Sequence, residues 1–486
     1  MRLLAPVRAL LSGVRASLVL LGLALLASES IYFALLRFDT VSTTRSVVGF
    51  LLMMGGLFAI YGIACLLLTR DKSSRWSLGI VLLGAVLFRL TLLFAGLPTQ
   101  VTWREATTRV RADIHSDAVT YDSYLLFDND IWRYIWDGHV GSAGVNPYCY
   151  EPRSAQLDWL VDADSNPVLW GDIRANMNHN DVTTIYPPFA QLVFRAAHTI
   201  APGSVFTMKA LLAVFDLMTV LLVLLVLRAM ERPLTDVVLY AWNPLVIKTV
   251  AGSGHMDAVL GACLVLTAYL LIRGCKTLAG IIWAFSVLTK ITPVLLLPFL
   301  IRRIGWRRTA LGIGVICAAY LPYLDSKLSA FVGLFTFGNE WQFNSAFFSL
   351  FNRVFAPFHM NAAMMSRALA MIVLIALIGW LVGRERIGPQ PFYSIATVVL
   401  GSALVLSPTV MPWYIIPILA MATISRSHLW MWFSPLLCLA FVVMIDGTEW
   451  PAALALEWAG FVALLWKYRK EAISLTTLRF VEGPAV

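Results

Sequence analysis

The chain has 486 residues, of which 59% are hydrophobic and 13% are charged, and its mean hydropathy is +0.76. A soluble protein carries about a quarter charged residues, so this composition excludes an ordinary soluble globular protein. The net charge of +9 does not indicate a nucleic-acid partner. Most Lys and Arg residues lie in short loops between apolar segments, where they set membrane topology.

Apolar segments in chain order predict an all-α polytopic membrane protein. The first three are each long enough to cross a bilayer core of about 30 Å. The segments lie at 16–36, 47–69, 77–97, 205–228, 235–250, 256–273, 277–300, 309–324, 364–383, 392–410, 411–424, 428–446 and 450–467. They predict about 12 to 14 transmembrane or half-spanning helices embedded in the lipid bilayer.

The distribution of basic residues predicts which loops face the cytoplasm. Both chain ends are expected there, and three crossings then place residues 98–204 outside as one large loop. The predicted parts are N-terminal helices (1–97), the outer loop (98–204) and a helical bundle with a short cytoplasmic tail (205–486). Basic clusters flank segment 277–300 on both sides, so we expect a hairpin of two short helices broken near Lys290.

A cluster of charge lies in the outer loop, in the stretch FDNDIWRYIWDGHV (127–140). If the stretch from Asp130 is a helix, Asp130, Arg133 and Asp137 share one side of it, and Asp128 lies near its positive end. Such a carboxylate can accept a proton from an attacking hydroxyl; the alternative is a carboxylate that only caps the helix. The apolar residues between them suit the membrane interface: Ile131, Trp132, Ile135 and Trp136.

Three charged residues lie within otherwise apolar segments: Arg89, Asp216 and Lys290. Each costs a few kcal/mol at mid-bilayer unless it is paired or solvated. Arg89 and Lys290 are candidates to bind a lipid phosphate that enters from the outer leaflet. The alternative is an internal pair of Asp216 with Arg89 or Lys290 that only fixes helix packing.

Further polar stretches are predicted to reach the same outer face. His255 and Asp257 lie in the turn GHMD, where two ligands are too few to indicate a metal site and hydrogen bonding to a sugar is equally compatible. The Tyr residues of NPY and YPP offer hydroxyls, although such motifs also simply shape loops. The six Cys residues are scattered, and no nucleotide-binding or hydrolase motif is present.

These motifs, in this order, resemble those of the GT-C membrane glycosyltransferases, in particular the polyprenyl-phosphate-sugar-dependent mannosyltransferases of bacteria. The resemblance rests on D-x-D, RY-x-WDG and G-x-NPY (128–148), YPP (186–188), WNP (242–244), the GHxD turn (254–257), K-x-x-P (290–293), FNS (343–345) and PWY (412–414). It covers about 300 residues; the polar stretch at 101–127 is not explained by it.

The resemblance implies a GT-C fold and an enzyme of the bacterial inner membrane whose active site lies on the periplasmic face. Its donor is a polyprenyl-phosphate-linked hexose, with mannose expected, and its acceptor is a hydroxyl of a glycan or glycolipid; transfer inverts the anomeric carbon. Either Asp128 or Asp130 is the implied base, with Asp128 slightly favoured. Lys290, Arg89 and Arg133 are expected to hold the donor phosphate. The expected substrate-binding residues are Asp137, Tyr148, Tyr186, His255, Asp257, Asn344, Trp413 and Tyr414.

Two other classes remain open from the sequence. A multispanning transporter also uses intramembrane charges and broken helices, although no repeat between the halves is evident. A membrane scaffold with an outer binding loop leaves Lys290 unexplained. No cofactor is required by the motifs, and because cationic side chains can stabilise a departing phosphate, a divalent metal stays open. The sequence indicates nothing about oligomeric state.

Overall fold

The structure is a computed structural model that describes residues 5–36, 44–70, 75–95, 126–162, 167–358, 361–385 and 390–471. Residues 96–125, which belong to the predicted outer loop, lie outside the described part. The described α-helices, in chain order, are α1 (Ala5–Leu36), α2 (Thr44–Arg70), α3 (Arg75–Leu93), α4 (Asp130–Ser142), α5 (Trp159–Asp162), α6 (Pro167–Ala175), α7 (Pro188–Ile200), α8 (Val205–Ala229), α9 (Val238–Ala241), α10 (Pro244–Ile247), α11 (Asp257–Ile272), α12 (Lys276–Thr289), α13 (Leu297–Ile304), α14 (Trp306–Tyr320), α15 (Val332–Glu340), α16 (Ala346–Phe355), α17 (Ala362–Glu385), α18 (Phe392–Leu406), α19 (Ile416–Ser425), α20 (His428–Leu437) and α21 (Pro451–Lys467).

The predicted all-α polytopic membrane architecture is confirmed. Within the described residues, 7 helices are long and apolar enough to cross a bilayer, and four shorter apolar helices accompany them. The long ones are 16–36, 45–69, 75–93, 205–229, 306–327, 362–384 and 428–445. The six Cys residues are all free thiols, so packing rather than disulfides holds the bundle together.

The segment predicted at 235–250 is not one helix, and this prediction is wrong. Asn243 interrupts it: its side chain accepts hydrogen bonds from the backbone of Leu245 and Val246 and so begins a new helix. Pro244 occupies the first turn of that helix, where its missing N–H costs nothing. A π-helical turn, Lys248–Gly252, follows directly.

The predicted hairpin around Lys290 is present. α12 ends at Thr289, and Lys290 has extended backbone angles that turn the chain back through a 3₁₀ turn, Thr292–Leu296, into α13. The two limbs are antiparallel, because Trp283 donates a hydrogen bond to the carbonyl of Pro293 at 3.0 Å. Ile304, at the far end of α13, lies against Gly280 near the start of α12. Lys290 therefore stands at the hairpin tip.

Arg89 and Asp216 form a fully buried ion pair between α3 and α8, with Nε and Oδ2 2.6 Å apart. Arg89 also donates to the carbonyls of Ala85 and Ala241, and Tyr240 donates its hydroxyl to Asp216. These contacts favour the alternative left open by the sequence, an internal Asp216–Arg89 pair that fixes helix packing, over binding of the donor phosphate by Arg89.

Removing one member of this pair should destabilise the bundle, because it leaves the other charge buried alone. We expect Arg89→Met to lower the free energy of unfolding by about 3–5 kcal/mol, measured as a lower melting temperature in detergent. The double variant Arg89→Met/Asp216→Leu should recover much of the loss, since it leaves no unpaired charge. A wild-type melting temperature in Arg89→Met would contradict this assignment.

The four apolar residues of α4 do not lie in the membrane interface, and that expectation is wrong. They are all buried inside the protein, at 6% exposure or less: Ile131, Trp132, Ile135 and Trp136. α4 packs on α7, α6 and α8, so its apolar face contacts the rest of the bundle. The packing holds the acidic start of α4 in a fixed position.

Candidate active site

Asp128 is buried immediately before α4 and makes its closest contact with His255. The Nε2 atom of His255 hydrogen-bonds to Oδ2 of Asp128, while the backbone N–H of Asp130 donates to Oδ1 at 3.3 Å. Burial alone raises the pKa of Asp128. The charge and hydrogen bond of His255, with the charge of Lys248, outweigh that effect and hold the pKa below its ordinary value. Asp128 is therefore the ionised, fixed member of the acid pair.

Asp130 occupies the first position of α4 and is the more accessible acid, with 26% of its side chain exposed. Burial raises its pKa to about 6, and the neighbouring negative charge of Asp128 acts in the same direction, against His255 and Lys290. A carboxylate with such a pKa is well matched to proton abstraction near neutral pH. The two acids thus differ in environment: Asp128 is buried and bonded to His255, whereas Asp130 is partly exposed.

His255 connects the two acids. Its Nδ1 atom lies 3.8 Å from Oδ2 of Asp130 and has no hydrogen-bond partner among the described residues. The ring stacks on Trp413, with centroids 3.9 Å apart. Gly254 precedes it at a φ of +78°, where a Cβ would come within 2.5 Å of Ile131. A glycine is thus required for the GHMD turn to approach α4.

Lys290, at the hairpin tip, contacts the acid at the end of the GHMD turn. Its Nζ atom lies 2.9 Å from Oδ1 of Asp257 and 3.6 Å from the ring centroid of Tyr414. Its side chain remains 24% exposed, in contrast to the fully buried Arg89. One acid and one aromatic face leave the ammonium with donors for a further anion.

Two cavities lie beside these residues, and they have no lining residue in common. The first, of about 170 Å³, has mostly apolar walls, and Lys290, Asp257, Tyr186 and Tyr414 contribute its polar groups. The second, of about 500 Å³, is more polar and contains Asp128 and Asp130. Trp413 lines the second cavity, and its neighbour Tyr414 lines the first. One short segment therefore lies between the two cavities.

Three of these side chains also suit a divalent cation. One ligand atom from each of Asp128, Asp130 and His255 lies within 4.8 Å of the others. Two carboxylate oxygens and an imidazole nitrogen form a usable ligand set for such an ion. However, Nε2 of His255 is already bonded to Asp128 in the structure. This leaves Nδ1 of His255 and the carboxylate oxygens of Asp130 to bind an ion.

Four other predicted residues have structural partners. Asp137 is buried and bonded to Arg133, Thr184 and Gln191, so both Arg133 and Asp137 hold the loop after α6 against α4. The Tyr148 hydroxyl donates to the carbonyl of Tyr186 at 2.7 Å. Asn344 is bonded to Glu457, with Nδ2 and Oε1 2.8 Å apart. These contacts place Arg133, Asp137, Tyr148 and Asn344 behind the cavity walls; Tyr186 itself lines the first cavity.

Lys248 is a charged residue near the site that the sequence interpretation missed. It is fully buried in the π-helical turn, and its amine has no hydrogen-bond partner among the described residues. Its position after the WNP motif, at the end of an apolar segment, could have marked Lys248 as a candidate from the sequence. The second cavity also has a wall that no motif indicated, formed by residues 440 to 447.

The described helices make the chain an all-α polytopic membrane protein, and a cluster of acids lies at the start of α4. Residues 122–305 match the family model described as MptA_B family, Alpha-(1->6)-mannopyranosyltransferase, N-terminal domain. The match confirms the resemblance to the GT-C mannosyltransferases, and it includes Asp128, Asp130, His255 and Lys290. No curated protein matches the chain significantly.

Proposed function

We propose that the protein transfers mannose from a polyprenyl-phosphate donor to a hydroxyl of a glycan or glycolipid, with inversion, on the periplasmic face of the bacterial inner membrane. One observation carries the proposal: a lysine lines an apolar cavity, an acid pair lines a more polar one, and the adjacent residues Tyr414 and Trp413 line one cavity each. This is the arrangement that a lipid-borne donor and a hydrophilic acceptor require. The family match supports mannose as the sugar.

The apolar cavity is the donor site in this proposal. Its aliphatic walls suit the first isoprene units, and Lys290 at its end supplies positive charge for the phosphate. As the bond between the anomeric carbon and the phosphate oxygen breaks, negative charge grows on that oxygen. A fixed ammonium stabilises this growing charge. Arg133, by contrast, is already bonded to Asp137 and to the carbonyl of Val182.

The polar cavity is the acceptor site. The acceptor oxygen attacks the anomeric carbon on the face opposite the phosphate, and Asp130 takes its proton while the new bond forms. Polyprenyl phosphate leaves, so one C–O bond forms and one breaks. His255 lies beside Asp130, oriented by the hydrogen bond to Asp128, and stabilises the carboxyl in this position. A divalent ion, if bound by Asp128, Asp130 and His255, would add positive charge at the acceptor oxygen.

The raised pKa of Asp130 predicts the pH dependence of transfer. The base must be ionised, so kcat/KM should fall as the pH drops through about 6 and should be flat above that value until another group titrates. The measurement is kcat/KM between about pH 4.5 and 8, because this parameter reports the free enzyme. A flat profile across pH 5–7 would contradict Asp130 as the base.

The test of the function is sugar transfer by the purified protein in detergent or nanodiscs, from synthetic polyprenyl-phosphate mannose to a panel of mannose-containing glycans and glycolipids. Parallel reactions contain EDTA, and a second set replaces mannose by glucose. Transfer from the mannose donor alone supports the proposal, and loss with EDTA followed by recovery with a divalent ion assigns the metal. Uptake of substrate into proteoliposomes without transfer would instead favour a transporter.

A further inference from the structure

Lys248 has an uncommon environment for a lysine. It is 0% exposed, and none of the described residues accepts a hydrogen bond from its amine. Burying an ammonium without a partner is strongly unfavourable, so a lysine kept in such a place is normally compensated by a nearby negative charge. The π-helical turn that carries it is a rare conformation that is frequently found at functional sites.

Aromatic rings lie around the Lys248 amine, and two rings of this group also line the cavity that contains the acid pair. Nζ lies 4.1 Å from the ring centroid of Phe441 and 5.9 Å from that of Phe50. Phe50 in turn contacts Phe127, with centroids 5.2 Å apart. Phe127 and Phe441 both line the polar cavity beside Asp128. The amine is thus separated from the cavity by one layer of aromatic rings.

The negative charges of Asp128 and Asp130 both favour the charged form of Lys248, against the effect of burial. The other titratable group that acts on it is the Cys438 thiol. The rings between Lys248 and the cavity exclude water, and charges interact over longer distances where water is excluded. A cation in this position offsets the repulsion between the two neighbouring carboxylates.

This inference rests on the proposed function. We propose that Lys248 is a positioning residue: its buried positive charge compensates the negative charge of Asp128, and this keeps the His255 ring directed at Asp130. The lysine touches neither donor nor acceptor. It acts through Asp128, behind the cavity wall, and supplies from within the protein a positive charge that the acid pair needs.

The test is a double-variant cycle with Lys248→Met and Asp128→Asn, read by melting temperature and by kinetics. Each single variant leaves an uncompensated buried group and should melt below the wild type. The double variant should melt higher than the sum of the two losses predicts, because both members of the pair are then neutral. In transfer assays Lys248→Met should lower kcat about tenfold or more with little change in donor KM.

Lys209→Met is the matched control, because Lys209 is also fully buried but donates to three backbone carbonyls, those of Leu92, Leu93 and Ala95. Its loss should add to that of Asp128→Asn without recovery. Additive melting shifts for Lys248→Met and Asp128→Asn would overturn the proposal, as would a wild-type kcat in Lys248→Met. If Lys248→Met does not fold, Lys248→Gln takes its place. The melting cycle needs no substrate, so it tests the Lys248–Asp128 interaction even if the chain catalyses a different reaction.

Discussion

Asp130→Asn is expected to reduce transfer about 10²–10⁴-fold, the usual contribution of a general base. The amide keeps the shape of the side chain but cannot take a proton from the acceptor. Because Asp130 is partly exposed at the first position of α4, its replacement leaves no buried charge without a partner. Folded protein should therefore be recovered in normal yield. The measurement is kcat with saturating donor and acceptor, together with the melting temperature.

The matched control is Asp181→Asn, the same chemical change at an exposed acid that lies 4.0 Å from Arg153. It should transfer at the wild-type rate. Asp128→Asn should also lose activity, but through the His255 contact, and it should melt at a lower temperature because Asp128 is buried. Full activity in Asp130→Asn with loss only in Asp128→Asn would assign the base to Asp128 instead.

Lys290→Met should weaken donor use, with the largest effect on kcat/KM for the polyprenyl-phosphate donor. Loss of a hydrogen bond to a charged group costs about 1.5–3 kcal/mol, which is roughly a 10- to 150-fold change in kcat/KM. The loss also leaves Asp257 buried without its cation, and that carboxylate would repel the donor phosphate. Steady-state kinetics with varied donor at fixed acceptor measure the effect.

Lys276→Met is the control, because Lys276 is exposed at the opposite end of the same helix, α12. It should behave as the wild type. The double variant Lys290→Met/Asp257→Asn should regain part of the lost kcat/KM, since it removes the uncompensated acid. An unchanged donor KM and kcat in Lys290→Met would exclude the lysine from the phosphate site and place the donor elsewhere.

The architecture was largely predictable because its causes are local. Apolar runs long enough for a bilayer indicate helices wherever they occur, and the basic clusters before and after 277–300 favour a hairpin at Lys290 over a single helix. The Asn-Pro pair at 243–244 also indicates the helix break. Hydropathy averaged over 235–250 does not, because the flanking residues are apolar. Hydropathy does not specify which helix faces touch, so the apolar face of α4 was placed at the membrane interface instead of inside the bundle.

The site was predictable in its members but not in its pairings. Asp128 and His255 are 127 residues apart, so no local pattern shows that they are bonded. Asp216 had two candidate cations in the sequence, Arg89 and Lys290, and only the packing of α3 on α8 selects Arg89. Lys248 was overlooked because one lysine at the end of an apolar segment usually marks a membrane boundary.

The loop at Phe343 and the segment before Trp413 are joined by their backbones. Phe343 donates to the carbonyl of Pro408 at 3.0 Å and accepts from the N–H of Val410 at 2.8 Å. Phe343 lines the polar cavity, and Ser407 and Tyr414 line the apolar one. Backbone hydrogen bonds therefore fix the position of chain segments that line the two cavities. Under the proposed function, we expect these fixed segments to limit the size of the sugar that the donor can carry, because a bulkier sugar would require the backbone to move.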